Sequence, residues 1–301
     1  MTSVSYAHRP GKHIQRQMVI DACRRLSPLG PLTEYRYVGF GGREFVDFEL
    51  VRRSLGITQM ISMEKDTSGE ARYRFNRPFA EIEVLMGVAS DLLPGIDLAG
   101  PRIVWLDYEQ SLDEQVIDDA TLVARNLRPG SMLIVTINAR PPTRAEGRVE
   151  SLASRVGRER IPLGVTDDVL AQWGTAVVQR QILRDAVIRA VRDRGDNTFF
   201  QQLFNVQYAD VANMQTYGGL LLSPAEVEAY ALCRFDELDF VRTGEEAIEI
   251  RVPVLTLREI LHLNRQLPRQ SGRALDVAGL PEDDAEAYET FYRWYPTPQR
   301  P

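Results

Sequence analysis

Apolar residues recur along this chain in two rhythms. Short continuous or alternating runs predict strands, and three- and four-residue steps predict amphipathic helices. The first helical rhythm opens at Pro10 and predicts a helix to about Leu26. Ile14, Met18, Ala22 and Leu26 fall on one face, and Lys12, His13, Arg16, Arg24 and Arg25 on the other. Residues 1–9 read as loose, and Ser27-Pro-Leu-Gly-Pro31 ends the helix. Tyr35 to Val38 then reads as a strand. It runs into the turn Gly39-Phe40-Gly41-Gly42 and a helix from Glu44 to Leu55 through Phe45, Phe48 and Val51, stopped by Gly56.

The same alternation continues. Ile57 to Met63 is a second strand with Glu64 at its end, and Asp66 to Asn76 is a helix. Glu81 to Leu85 is a third strand, and Arg102 to Leu106 is a fourth that ends in Asp107-Tyr108-Glu109-Gln110. Ser111 and Glu114 have the spacing of a capping box, opening a helix to about Leu127. Ser131 to Ile137 is a continuously apolar fifth strand, as central parallel strands usually are. Residues 139–165 are polar and arginine-rich, and Thr166 to Arg192 reads as one long helix. Phe199 to Tyr208 and Met214 to Leu222 are separated by so few residues that they must pair as an antiparallel hairpin, with a bulge expected at Gly218-Gly219. Beyond it, Ser223-Pro224 starts a helix, and Phe235 to Arg242 is expected to pair with Ile248 to Val252. Leu257 to Leu267 and Asp283 to Tyr295 read as helices, the last with aromatics suited to packing on the main body.

Composition changes the picture only by exclusion. The formal net charge of −6 offers no global basic field for tight nucleic-acid binding. Cys23 and Cys233 are isolated in apolar contexts and form neither a disulfide framework nor a metal spacing. The absence of a long apolar run and of a signal-peptide core makes a cytoplasmic location the expectation, with no membrane partner.

The candidate chemistry sits at the first turn. A strand, a glycine-rich turn and a helix start gather backbone N–H groups at one spot, which suits a nucleotide-like cofactor. Glu64, about 20 positions on and at the tip of the second strand, is placed to accept ribose hydroxyls. The dinucleotide fingerprint fails because Glu44 stands where its third glycine belongs. NAD is therefore disfavoured, and a smaller adenosine-bearing cofactor fits better. Asp91 and Leu92, after the third strand, are candidates for contacts to an adenine. Asp107 and Glu109 are candidate general bases, and Tyr108 is a candidate to stack on a planar acceptor.

Five strands alternating with helices, then a helix and a hairpin, resemble the class I S-adenosylmethionine (SAM)-dependent methyltransferases. The resemblance covers about residues 35–222. It rests on the Gly39-Phe40-Gly41-Gly42 turn, Glu64, Asp91, Asp107 and Leu127-Arg-Pro-Gly130. The stretch from Arg9 to Gly42 is similar to a bacterial group described as "putative O-methyltransferases". The resemblance implies a Rossmann-like seven-stranded α/β sheet, mostly parallel, with a C-terminal antiparallel hairpin. It implies SAM as cofactor, held by Gly39, Phe40, Gly41, Gly42, Glu64, Lys65, Asp91 and Leu92. Tyr37 and Arg43 stand where such enzymes carry an acid and a third glycine. No residue is thereby assigned to the cofactor's methionine end.

Three segments follow: 1–34 as an N-terminal helical lid, 35–222 as the SAM-binding domain, and 223–301 as a small α+β appendage. Lys12, His13 and Arg16 are the expected lid or substrate contacts. The expected activity is O-methylation of a small-molecule or nucleotide acceptor, with Asp107, Tyr108 and Glu109 at the reaction. The alternatives are an RNA or other nucleic-acid methyltransferase, and a catalytically idle SAM-fold partner or sensor. The arginines near 140–160 favour nucleic acid and the net charge argues against it, while the lack of prolines after Asp107 disfavours amine methylation of DNA bases. Asp107 and Asn138 are too few oxygen ligands to define a magnesium site, so no metal is expected.

Overall fold

The computed structural model describes residues 9–270 and 273–296. The expected loose start, save Arg9, lies outside them. The helices are α1 (Pro10–Arg24), α2 (Val46–Leu55), α3 (Glu70–Asn76), α4 (Ala89–Leu92), α5 (Glu114–Asn126), α6 (Arg148–Val156), α7 (Gly174–Arg192), α8 (Val227–Leu232), α9 (Leu257–Asn264) and α10 (Glu282–Phe291). The strands are β1 (Arg36–Gly39), β2 (Gln59–Glu64), β3 (Ile82–Met86), β4 (Arg102–Ser111), β5 (Met132–Asn138), β6 (Phe199–Ala209), β7 (Asn213–Leu222) and β8 (Ile248–Ile250).

The strands form one eight-stranded sheet in the order β3-β2-β1-β4-β5-β7-β6-β8. β1 to β5 run parallel, β7 is antiparallel to β5 and β6, and β8 pairs parallel to β6. The first seven strands keep the expected Rossmann-like arrangement, and the eighth is an addition. Each crossover helix buries its apolar stripe on one sheet face, leaving a core on both sides. One holds Ile14, Met18, Tyr37, Phe48, Trp105 and Tyr208, and the other Val38, Leu106, Val116, Val135, Val187 and Tyr217.

Several expected boundaries move for local reasons. α2 starts at Val46, not Glu44, because Phe45 N–H donates to Gly41 O and Phe45 takes a left-handed φ of 51°. Gly56 ends α2 as expected, at φ 72°. β4 runs on to Ser111 because its pairing with β5 resumes at Ser111 and Asn138 after a register shift. Ser111 is therefore a strand residue, and the expected capping box does not form. Asp113 caps α5 instead, its Oδ1 accepting from Val116 N at 2.9 Å. Asp113→Ala is expected to cost about 1 kcal/mol in urea unfolding, and Ser111→Ala clearly less. α7 begins at Gly174 because Gln172 is left-handed and the chain turns at Ala171–Gly174. The bulge beside the glycine pair lies on β6, between Gln202 and Phe204 opposite Gly218 and Gly219. A Cβ on Gly219 would lie 2.1 Å from Gln201 O, so only glycine admits that approach.

The C-terminal region departs most. Phe235 to Arg242 forms no strand, and β8 pairs with β6 rather than in a local hairpin. Cys233, Phe235, Phe240, Ile250, Phe291 and Trp294 join the core shared with α1. Among the described residues only a small cluster around Ile260, Leu263, Ala285 and Tyr288 stands apart. No helix among the described residues is long and apolar enough to cross a membrane.

Candidate functional site

The parallel strands end at one edge, and most of the expected site residues gather there. Gly39 pairs with Ser62 on β2 and Trp105 on β4. The glycine turn thus leaves β1 between Glu64, at the end of β2, and Asp107, two residues beyond Trp105. Gly41 lies against the Phe45 ring and Ser62 Oγ, each 2.6 Å from where a Cβ would stand. Its backbone is bare at that point because no side chain fits.

Glu64 is folded into the turn. Its Oε1 accepts from Gly41 N at 2.8 Å, Gly42 N at 3.1 Å and Ser62 Oγ at 2.6 Å. Its Oε2 takes no hydrogen bond from the described residues. Burial holds its carboxyl above the usual range, against the opposing pull of those three donors. Gly87, just past β3, donates its N–H to Glu64 O at 2.9 Å, and Leu92 on α4 packs over Gly87. Leu92 is thereby brought to the tip of β2. Asp91 and Lys65 are exposed beside it.

The second half of the site is a set of buried ion pairs. Lys12 Nζ donates to Asp107 Oδ1 at 2.7 Å. The ammonium stands 4.9 Å from the Trp105 ring centre and 5.9 Å from that of Tyr208, within cation–π range of both. The Lys12 side chain is only 5% exposed, whereas that of Asp107 keeps 19%. An incoming molecule can therefore reach the carboxylate but not the ammonium. Burial pulls the Lys12 amine below its ordinary value, with Asp107 acting in the opposite direction. One turn on, the Arg16 guanidinium grips both Asp47 oxygens in the first turn of α2. Asp210, at the tip of the β6–β7 hairpin, accepts from Gly11 N at 2.8 Å and Lys12 N at 2.9 Å, closing the start of α1.

This geometry corrects the reading of the N-terminal helix. Lys12 and Arg16, expected as lid or substrate contacts, are instead engaged in buried ion pairs with Asp107 and Asp47. Asp107, Asp47 and Asp210 neutralise that face of α1 and hold it on the sheet. His13 is half-buried, and burial lowers its pKa. Tyr108 is corrected too. It lies on the opposite sheet face from Asp107, donates to Asp119 Oδ2 at 2.6 Å and meets the Phe40 ring edge-on at 5.1 Å. Burial raises its pKa strongly, so it is a core group rather than a platform for a planar acceptor. Glu109, two residues beyond Asp107, is exposed. Ser62, Asp47, Asp210, Trp105 and Tyr208 were not expected at the site. Strand alternation would have placed Ser62 and Trp105, but nothing local marks Asp47 or Asp210. Among the described residues no group of three or more His, Cys, Asp or Glu side chains is arranged to hold a metal ion.

Comparison with known proteins gives a family and a set of distant folds. Residues 4–300 match the model of a family described as "Putative O-methyltransferase". No curated protein matches the sequence. Among solved structures, Trm1 from Pyrococcus horikoshii in complex with S-adenosyl-L-methionine is 10% identical, with a TM-score of 0.47. The match covers 74% of this chain and 58% of Trm1, so it spans little more than half of that protein. The O-methyltransferase TomG from Streptomyces achromogenes is 14% identical with a TM-score of 0.42, covering 74% of this chain and 91% of TomG. The N-methyltransferase NodS from Bradyrhizobium japonicum is 10% identical with a TM-score of 0.38, covering 68% and 98%.

Proposed function

The chain belongs to the "Putative O-methyltransferase" family, and from that premise we propose that it transfers a methyl group from SAM to a hydroxyl of a small-molecule or nucleotide acceptor at Asp107. The observation that carries this reading is the adjacency of the glycine turn, closed on Glu64, to the buried Lys12–Asp107 pair on the next strand.

The residues present fit the cofactor. Gly41 leaves backbone open to close approach, and Glu64 Oε2 is free to accept a ribose hydroxyl. Leu92 borders the same tip and suits an adenine face. Lys12, Arg16, Asp47, Asp107 and Asp210 together carry one net negative charge, which favours a cationic ligand. When bound, the cofactor supplies a methyl group on a positive sulfonium, ready for in-line displacement.

This chain's own contribution is positioning and one proton. The Lys12 ammonium fixes Asp107 by a charge-assisted bond to Oδ1, leaving Oδ2 for the acceptor. Asp107 would take the proton of the acceptor hydroxyl at Oδ2, leaving the oxygen ready to receive the methyl group. Lys12 balances the carboxylate charge until that moment. Cys23 and Cys233 are buried free thiols, which supports a cytoplasmic setting.

Isothermal calorimetry tests the reading. SAM or S-adenosylhomocysteine should bind, and NAD should not. Glu64→Gln keeps an oxygen for Gly41 and Gly42 but loses the charged acceptor, so affinity should fall by about 1.5–3 kcal/mol. Because burial raises the Glu64 pKa in the free protein, binding by its ionised form should strengthen as pH climbs through that raised value. The ligand-free fold should lose stability over the same window, since the unfolded chain ionises more readily. Binding of NAD without SAM, or full SAM affinity in Glu64→Gln, would defeat the proposal.

A further inference from the structure

Among the described residues, buried cations are paired, with one exception. Lys12 has Asp107, Arg16 has Asp47, and Arg102 has Asp97. Arg180 on α7 is 3% exposed, yet its Nε and Nη1 make no hydrogen bond and no carboxylate lies within ion-pair distance. A guanidinium taken out of water without a counter-charge is strongly unfavourable. The titratable group that acts on it most strongly is Tyr217 on β7, 2% exposed, whose hydroxyl also makes no hydrogen bond.

The surroundings are polar. Tyr217 pairs across the ladder with Asn205 on β6. Asn205 Oδ1 accepts from Gln215 Nε2 at 2.9 Å, and its Nδ2 donates to Glu245 O at 2.8 Å. Gln215 is fully buried, and its Oε1 has no donor. The segment at Glu245 is therefore tethered beside Tyr217, while the Glu245 side chain stays exposed. The charged groups that act on Arg180 are Glu245, outside ion-pair distance, then Arg184, one turn along α7, and Asp185, which Arg184 already engages at 3.0 Å. Tyr217 shares its core with Leu106 and Val135, on the sheet face opposite Lys12. This cluster is separate from the site at Asp107.

We propose that Arg180 and the Tyr217 hydroxyl hold one small inorganic monoanion, of the size and charge of chloride or nitrate, between α7 and β7. One negative charge neutralises one guanidinium. Burial of Nε, Nη1 and the Tyr217 hydroxyl favours an ion that sheds its water readily, which puts halide and nitrate ahead of phosphate. The anion accepts from Arg180 and Tyr217, completing the two groups that the chain leaves open. Arg184 lies at the outer end of the same helix face and adds to the attraction.

Thermal unfolding of the full chain tests this. Sodium gluconate is replaced stepwise by chloride, bromide or nitrate at constant ionic strength. The melting temperature should rise along a saturating curve, as for any ligand that binds only the folded state. Arg180→Met should abolish the rise. Tyr217→Phe removes one oxygen from a buried ring, so the fold is retained even if Arg180→Met fails to fold, and the half-saturating concentration should increase several-fold. No anion dependence in the wild type, or an undiminished one in either variant, overturns the proposal. Stabilisation by phosphate but not by halide overturns the assignment to a small monoanion. Glu245→Gln provides the remaining arm. If it destabilises the wild type but not Arg180→Met, Glu245 is the partner of Arg180 and no anion is held.

Discussion

Asp107→Asn is expected to destabilise the protein by about 3–5 kcal/mol, the usual cost of stripping one partner from a buried ion pair. The Lys12 ammonium, 2.7 Å from Asp107, has no other carboxylate at ion-pair distance. Lys12→Met should cost less, because Asp107 keeps contact with water and can be hydrated. Combining the two substitutions removes both charges, and part of the lost stability should return. Methyl transfer should not return with it, since neither the base nor the group that fixes it remains. Urea unfolding of the three variants, set beside single-turnover rates, separates the two roles. Turnover in the double variant close to wild type would remove Asp107 from the reaction. Simple additivity of the stability losses would mean the pair is not energetically coupled.

Gly41→Ala should be the most damaging substitution in the cofactor half. The new methyl would stand 2.6 Å from both the Phe45 ring and Ser62 Oγ. Phe45 is fully buried in a left-handed conformation, and Ser62 is fully buried on β2, so neither can step aside. Overpacking of this kind costs about 1–3 kcal/mol. The turn must also shift away from Glu64, breaking the bonds at 2.8 and 3.1 Å that define the ribose acceptor. Cofactor affinity should fall by at least about tenfold, or 1.4 kcal/mol. Gly56→Ala serves as the control. Its φ is 72°, and a Cβ there meets nothing within 4 Å. It should lower stability by roughly 1 kcal/mol and leave cofactor binding unchanged in calorimetry.

The strands were legible because each is either an apolar run, as in β5, or an alternation of polar and apolar positions, as in β3. β1 to β7 all fall within a few residues of where the pattern puts them. Gly39, Gly41, Gly42 and Glu64 were legible as a site because turn and acid belong to one local unit. The charges on α1 were not. Lys12 and Arg16 look like surface residues until Asp107, Asp47 and Asp210 are brought against them, and those acids come from three remote elements. Tyr108 could have been read correctly. Carrying the alternation of Trp105 and Leu106 one step further puts Asp107 and Tyr108 on opposite faces. β8 falls where a strand was expected, at Ile248 to Val252, but its partner β6 lies some forty residues back, where no local pattern points.

The tether between Asp210 and the start of α1 bears on the order in which the molecule can be built. It joins residues 199 positions apart in the chain. During synthesis α1 leaves the ribosome ahead of the other described elements, yet its anchor arrives only with the tip of the β6–β7 hairpin. Until then the Lys12 and Gly11 amides have no Asp210 to bind, although Asp47 and Asp107 have already emerged. A nascent chain released before the hairpin would carry a complete glycine turn on an unlatched body. Folding that waits on so distant a contact is slow compared with a local bundle, and α1, made before its anchor by most of the chain, is among the last elements to be secured.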